Sequence, residues 1–223
     1  MIKYPELLRI QSDRVIKRSD KQYANKGMVD DFLRVKNLVI EEKLDGSQLG
    51  ISFKSGAPYV QTKNRHLDMH DKSPQFNGVW PWIWENIEKI EQLKGYLVFG
   101  EWVRIQHHMV YDKLPDWFMP FDVYNYKTQS FINFLKKIKF FEKVGFAHAP
   151  VICVSKPAMQ DIEEFADQPS YFGSEREGCV IKNYDKQQFI KYVRREFIEG
   201  IEEEGHWTSN HKQKLNELKG DKK

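Results

Sequence analysis

Apolar and polar positions change period several times along this chain, and each change marks an element. An apolar run through Leu38, Val39 and Ile40, closed by Glu41, Glu42 and Lys43, predicts a strand over 37–43. Residues 49–54 and 58–63 predict a hairpin turning at Ser55-Gly56-Ala57. Ile83, Ile87 and Ile90, with Leu93 less regularly, return at helical spacing over 82–94, and Gly95 stands where a C-terminal cap belongs. Strand patterns resume over 96–103 and over the aromatic stretch 118–124. Residues 129–144 predict a second amphipathic helix, with Phe131, Leu135, Ile138 and Phe141 inward and Gly145 after it. Further strands are expected at 151–154, 178–183 and 188–193. Helices are expected at 194–204 and 208–219, the last opened by a Thr208/Ser209 cap. Hairpin strands interrupted by long helices predict an α+β fold with a largely antiparallel core.

Composition narrows the class. A chain of 223 residues suits one large domain, or one domain with a small appendage. Fifteen Phe, ten Tyr and six Trp are ample for a core. No run of apolar residues is long enough for a membrane span, and Met1-Ile2-Lys3-Tyr4-Pro5-Glu6 lacks the apolar region of a signal peptide. Cys153 and Cys179 give neither a disulfide framework nor zinc spacing, as expected of core thiols in a reduced, cytoplasmic protein. The net charge of +3 hides an uneven distribution: 14–26 and 182–195 are basic, and 199–204 is acidic. A local basic surface suffices to hold a phosphate backbone. His66, His70, His107 and His108 lack the companions of a structural metal site. Trp80, Trp82 and Trp84 are expected in the core and a groove wall.

Four short segments carry the chemistry. In order they are Lys43-Leu44-Asp45-Gly46, Phe99-Gly100-Glu101-Trp102, Glu177-Gly178-Cys179-Val180-Ile181-Lys182 and Phe189-Ile190-Lys191-Tyr192-Val193. Phe118-Met119-Pro120-Phe121-Asp122-Val123 lies between the second and third. In this order and spacing they resemble the motifs of the covalent nucleotidyltransferases: ATP-dependent DNA ligases, RNA ligases and mRNA capping enzymes. The Phe-Asp-Val segment favours the ATP-dependent RNA ligases, as does the length after Lys191, which is too short for the oligonucleotide-binding barrel expected there in DNA ligases and capping enzymes.

The resemblance implies a nucleotidyltransferase domain, ATP-grasp-like and built for adenylation. Antiparallel sheets flanked by helices would occupy residues 1–200. A short helical C-terminal tail, 201–223, would follow, with no OB-fold domain and with an apolar face of Ile201, Trp207, Leu215 and Leu218. The cofactors implied are ATP and Mg²⁺ or Mn²⁺. Lys43 would become linked to AMP. A lysine attacks phosphorus only as the free amine, which nearby cations and partial burial favour. Glu42 would border the adenine through its main chain, and Asp45 would organise the phosphate end or the acceptor strand. Glu101 would accept from a ribose hydroxyl, Phe121 would stack on the purine, and Glu177 would bind the divalent metal. Lys182 and Lys191 would neutralise charge on the α-phosphate.

Two departures from the motifs concern phosphate contacts. Thr62-Lys63-Asn64-Arg65 resembles a Ser-Arg-Asn segment, which makes Arg65, or else Lys63, the phosphate or ribose contact. Arg194-Arg195 follows where many RNA ligases carry a second lysine, leaving Arg194 as its replacement or not. The expected partners are RNA ends, possibly within an RNA-containing duplex, met by a monomer without a membrane. A DNA ligase core is the near alternative; an end-binding module that keeps the nucleotide pocket without sealing is a rival from another class.

Overall fold

The structure is a computed structural model that describes residues 1–10, 24–204 and 214–220. In chain order its elements are β1 (Leu8–Ile10), α1 (Lys26–Leu33), β2 (Leu38–Lys43), β3 (Ser47–Lys54), β4 (Ala57–Thr62), α2 (Val79–Glu85), α3 (Ile87–Glu91) and β5 (Tyr96–Trp102). They continue with β6 (Phe118–Asn125), β7 (Ser130–Phe131), α4 (Phe134–Val144), β8 (Val151–Ser155), α5 (Met159–Asp167), β9 (Gly178–Asn183), β10 (Gln188–Val193) and α6 (Arg195–Glu204). The fold is mixed α+β, as expected, with two antiparallel-rich five-stranded sheets. Among the described residues no helix is long and apolar enough to cross a membrane. The chain forms two compact units: one comprises 1–4, 45–149 and 210–223, the other 5–44 and 150–209.

In the second of these units the sheet order is β1-β10-β9-β2-β8, antiparallel except for the β1–β10 pair. Alternation along β2 sends Leu38 and Ile40 to one face with Cys179 and Ile181 of β9, and there Phe32 and Leu33 of α1 and Ile162 and Ala166 of α5 complete an apolar core. The helices are started by local chemistry. Asn25 accepts a hydrogen bond from the Met28 amide at 2.9 Å, and the Asp161 carboxylate accepts from the Ala158 amide at 2.7 Å. The opposite face carries Glu41, Lys43, Lys182 and Lys191.

The other unit holds an antiparallel sheet of order β4-β3-β5-β6-β7. Leu49, Ile51, Val98, Trp102 and Val123 pack with Trp82 and Ile83 of α2, Ile90 of α3 and Phe141 of α4. Gln48, Phe99, Glu101 and Asp122 occupy the other face. Opposite β5 the ladder shifts register: Phe99 pairs with Asp122 and Gly100 with Pro120, so Phe121 is the extra residue of a bulge. Bulges redirect side chains next to functional sites.

Several expected elements are corrected. The helix over 82–94 is two helices, because Asn86 ends α2 and its side-chain amide donates to the Trp82 carbonyl at 3.0 Å. The helix over 129–144 starts only after Asn133, whose side chain caps it by accepting from the Lys136 amide at 3.0 Å. Phe131 belongs instead to strand β7. The buried stripe also differs from the expected one: Leu135 is 70% exposed while Lys137 is buried. Trp82 is core and Trp84 is exposed. The expected helix over 208–219 fails where it is described: residues 214–218 are extended and 219–220 form a turn, with Leu215 bridging Ile105 and Leu218 bridging Leu114. Residues 205–213, with the Thr208/Ser209 cap, and most of the basic segment 14–26 lie outside the described residues.

Lys137 shows how a charge is accommodated inside α4. Its ammonium donates to the Phe121 carbonyl at 2.9 Å and lies 3.9 Å from the fully buried Asp122 carboxylate, which also accepts from the Tyr4 hydroxyl at 2.5 Å. Lys137→Met removes the cation and leaves a buried carboxylate, which is expected to cost about 3 kcal/mol of stability. Urea unfolding followed by tryptophan fluorescence measures it; a loss well under 1 kcal/mol would mean that the pair does not hold the bulge.

Candidate active site

Lys43 is the last residue of β2 and pairs across the ladder with Gly178, the first residue of β9. Glu177 therefore sits at the mouth of β9, and its carboxylate accepts from the Lys43 ammonium at 2.6 Å. The Glu177 side chain is only 7% exposed and that of Lys43 is 22% exposed, so solvent weakens the pair little. The Arg194 amide donates to the Glu177 carbonyl at 2.9 Å and holds the turn from behind. Gly178 is required here by a close approach: a β-carbon on it would lie 2.0 Å from the Tyr192 carbonyl oxygen.

Two residues back along β2 the Glu41 carboxylate accepts from the Lys182 ammonium at 2.6 Å, with both side chains buried. Val180 pairs with Glu41 on one side and with Lys191 on the other, so Lys191 belongs to the same face. Arg9 of β1 pairs with Lys191 and joins this face from the sheet edge. The structure thus brings Lys43, Glu177, Lys182 and Lys191 onto one face of one sheet, with Glu41 and Arg9 added.

Glu42 faces the other way, as strand alternation demands. Ser170 Oγ donates to its carboxylate at 2.5 Å, the Tyr171 amide donates at 3.0 Å, and Arg176 Nε lies at 3.6 Å. Burial nonetheless raises the Glu42 carboxyl above its usual range, against the opposing pull of these donors. Its side chain is a buried anchor. Behind it, burial pushes the Cys179 thiol up to about 12, which leaves it protonated and inert at neutral pH. The Arg194 guanidinium lies 3.6–3.7 Å from Asp167, Glu175 and Glu196, and its Nη1 donates to the Arg176 carbonyl at 3.3 Å, so it braces the turn.

The remaining expected residues belong to the other unit. Glu101 pairs with Gln48 and Met119 on the face opposite the helices. Phe121 projects from its bulge with the Tyr4 ring edge-on, centroids 5.0 Å apart. Arg65 is exposed and engaged by Asp71 and by Ser73 Oγ at 3.0 Å; its guanidinium holds the Asp71 carboxyl down to about 2. Lys63 is exposed. The Asp45 carboxylate accepts from the amides of His108 and Met109, each at 2.8 Å, with His107 Nδ1 at 3.7 Å. Gly46 admits no β-carbon, which would lie 2.6 Å from the Trp102 carbonyl oxygen and 2.9 Å from Glu101 Cγ. The Asp-Gly step is thus matched to strand β5 and not only to a turn.

Sequence reasoning missed Glu41, Arg9, Tyr111 and Asn216. A charge at Glu41 inside an apolar strand, in phase with Lys43, was the available signal. Arg9 had none, since β1 is three residues long. Among the described residues no group of three or more His, Cys, Asp or Glu gathers to cage a metal.

Motif order, fold and the paired lysine and glutamate together point to one class, and family comparison agrees. The RNA ligase family model matches residues 36–193, most of the chain, and the chain belongs to that family. Solved structures of an RNA ligase from Naegleria gruberi share the fold. The complex with PPi has a TM-score of 0.60 at 21% identity over 75% of this chain and 52% of that one. A mutant with AMP and Mn has a TM-score of 0.59 at 19% identity over 76% and 53%. An apo mutant has a TM-score of 0.62 at 20% identity over 78% and 55%. The chain spans about half the length of these structures. No curated protein matches it by sequence.

Gly178→Ala forces β10 away from β9. The expected loss is about 2 kcal/mol or more by urea unfolding, and a stability equal to wild type would show that the approach to Tyr192 is not tight.

Proposed function

We propose that this chain joins RNA 3′-hydroxyl and 5′-phosphate ends at the expense of ATP, through a lysyl-AMP intermediate on Lys43. The observation that carries this is the Lys43–Glu177 pair at 2.6 Å on a sheet face shared with Lys182 and Lys191. An amine in that pair is an ammonium with no lone pair to offer, so activation must free it from Glu177. The Naegleria gruberi relatives were solved with ATP and Mn, AMP and Mn, or PPi, which supports the same ligand classes here.

The donor set fits a divalent ion that keeps water and phosphate ligands, because a single carboxylate, Glu177, stands at the strand mouth. Glu177 would hold such an ion, which would supply positive charge to the triphosphate, and a Glu177 engaged in that way would no longer stabilise the Lys43 ammonium. Lys43 Nζ, having released its proton to solvent water, attacks the α-phosphorus. The N–P bond forms, the bond to the bridging oxygen breaks, and pyrophosphate leaves. Lys182 and Lys191 stabilise charge on the α-phosphate oxygens. AMP then passes to a 5′-phosphate, giving an activated end and restoring the lysine. A 3′-hydroxyl attacks that end, forms the phosphodiester and expels AMP. Within the nucleotide site Glu101 accepts from the ribose, Phe121 stacks on the adenine, Glu42 borders it through the main chain, and Arg65 meets a phosphate or the ribose.

Incubation with α-labelled ATP and Mg²⁺ or Mn²⁺ is expected to label the wild-type protein on a denaturing gel. Label should be lost in Lys43→Ala and fall by at least about a hundredfold in Glu177→Gln. Label that persists in Lys43→Ala would assign the nucleophile elsewhere. Sealing of RNA ends should weaken steeply with salt, by close to one unit of log–log slope for each phosphate neutralised. Efficient sealing of all-DNA nicks with none of RNA would replace the RNA ligase assignment by a DNA ligase core.

A further inference from the structure

The stretch from Val103 to Leu114 lacks regular structure of its own and is held by the C-terminal segment. Gln106 donates its amide to the Lys214 carbonyl at 3.0 Å, Leu114 to Glu217 at 3.1 Å, Asn216 to Arg104 at 3.0 Å, Glu217 to Tyr111 at 2.9 Å and Lys219 to Leu114 at 2.8 Å. At the centre is the Asn216 side chain, in a residue only 3% exposed. Its oxygen accepts from the Tyr111 amide at 2.9 Å, and its nitrogen donates to the Val103 carbonyl at 2.7 Å. Both ends of the stretch are thereby tied by one buried amide.

The same stretch holds Asp45. The Tyr111 hydroxyl oxygen accepts from the Asp45 amide at 2.8 Å, and the Asp45 carboxylate accepts from the amides of His108 and Met109. The carboxylate is thus engaged by backbone amides, a different position from that expected of a group organising phosphates. Next to it, Gly46 lies against Trp102 and Glu101. Asp45 is two residues along the chain from Lys43. Whatever fixes the 103–114 stretch fixes Asp45 and the approach of Gly46 to Glu101.

We propose that residues 214–219 are a clamp on the adenylylation step, with Asn216 as a positioning residue that acts through Tyr111 on Asp45 and Gly46. This rests on the ligase function proposed above. It gives residues 214–219, the second half of the helix expected over 208–219, a part in forming lysyl-AMP, where the sequence had suggested a short helical tail. Asn suits the position because only a side-chain amide supplies one acceptor and one donor at that spacing.

The test uses full-length wild type, Asn216→Ala, Asn216→Asp and the control Lys214→Ala, which leaves the main-chain contact of Lys214 in place. Hydrogen exchange at the His108 and Met109 amides is expected to quicken by at least about tenfold in Asn216→Ala, while amides of β3 and β5 keep their protection. The maximal rate of adduct formation should fall at least about tenfold with the KM for ATP changed less than about threefold. Asn216→Asp keeps the acceptor and loses the donor, so it should fall between, and it replaces Asn216→Ala as the test variant if that protein does not fold. Lys214→Ala should match wild type in both measurements. Unchanged exchange at His108 and Met109 would overturn the clamp. So would faster exchange with a wild-type rate of adduct formation, or a rise in KM alone. A wild-type protein that takes no label would instead overturn the ligase function, so the two failures are distinct.

Discussion

Glu41 and Lys182 place two full charges on a sheet whose other face is largely apolar, and neither side chain reaches solvent to any useful degree. Removing one partner would strand the other in a low-dielectric interior. The pair therefore tolerates a single alignment of β2 on β9, with Val39 opposite Lys182, Glu41 opposite Val180 and Lys43 opposite Gly178. A slip of β2 by one residue would turn Glu41 away from Lys182, toward the face of Cys179 and Ile181 and the helices behind it. The alignment that satisfies the buried pair is the same one that sets Lys43 beside Glu177. The candidate chemistry thus depends on a desolvation constraint two residues away from it.

Each sheet divides its labour in the same way. One face is apolar and covered by helices: α1 and α5 in one unit, α2, α3 and α4 in the other. The other face carries the polar groups that the proposed chemistry needs. Strand alternation makes this division possible, and departures from alternation refine it. The bulge at Phe121 releases one aromatic ring from the ladder, and the buried Lys137 holds the carbonyl of that residue. Ser170, Tyr171 and Arg176 anchor Glu42 on the rear face, so its neighbours Glu41 and Lys43 must point forward.

Much of this was legible in the sequence because it is encoded locally. The strands around Lys43, Glu101, Phe121, Lys182 and Lys191 follow from apolar runs and alternation, which act through nearest neighbours. The ordered motifs marked the residues that the family match spans. Other features were hidden. Asn86 splits a helix through a side-chain bond that helical spacing does not reveal. Lys137 is buried in α4 while Leu135 is exposed, because the Lys137 ammonium meets the Phe121 carbonyl and the Asp122 carboxylate of β6. Arg194 is a brace because Asp167, Glu175 and Glu196 happen to surround it.

The sequence by itself set the order of most strands and helices, the glycines at the strand ends and the motif residues, Lys43 and Glu177 among them, on which the proposed chemistry rests. These depend on backbone period and on short-range sterics. Only the tertiary structure decided which charges pair. Glu42 meets Ser170 across 128 positions, Lys43 meets Glu177 across 134 and Lys182 meets Glu41 across 141. It also decided that residues 214–218 lie extended along the 103–114 stretch and not in a helix. An apolar pattern as short as Leu215 and Leu218 suits either state, and the backbone partners that choose between them, Arg104, Gln106 and Leu114, lie about a hundred residues earlier in the chain.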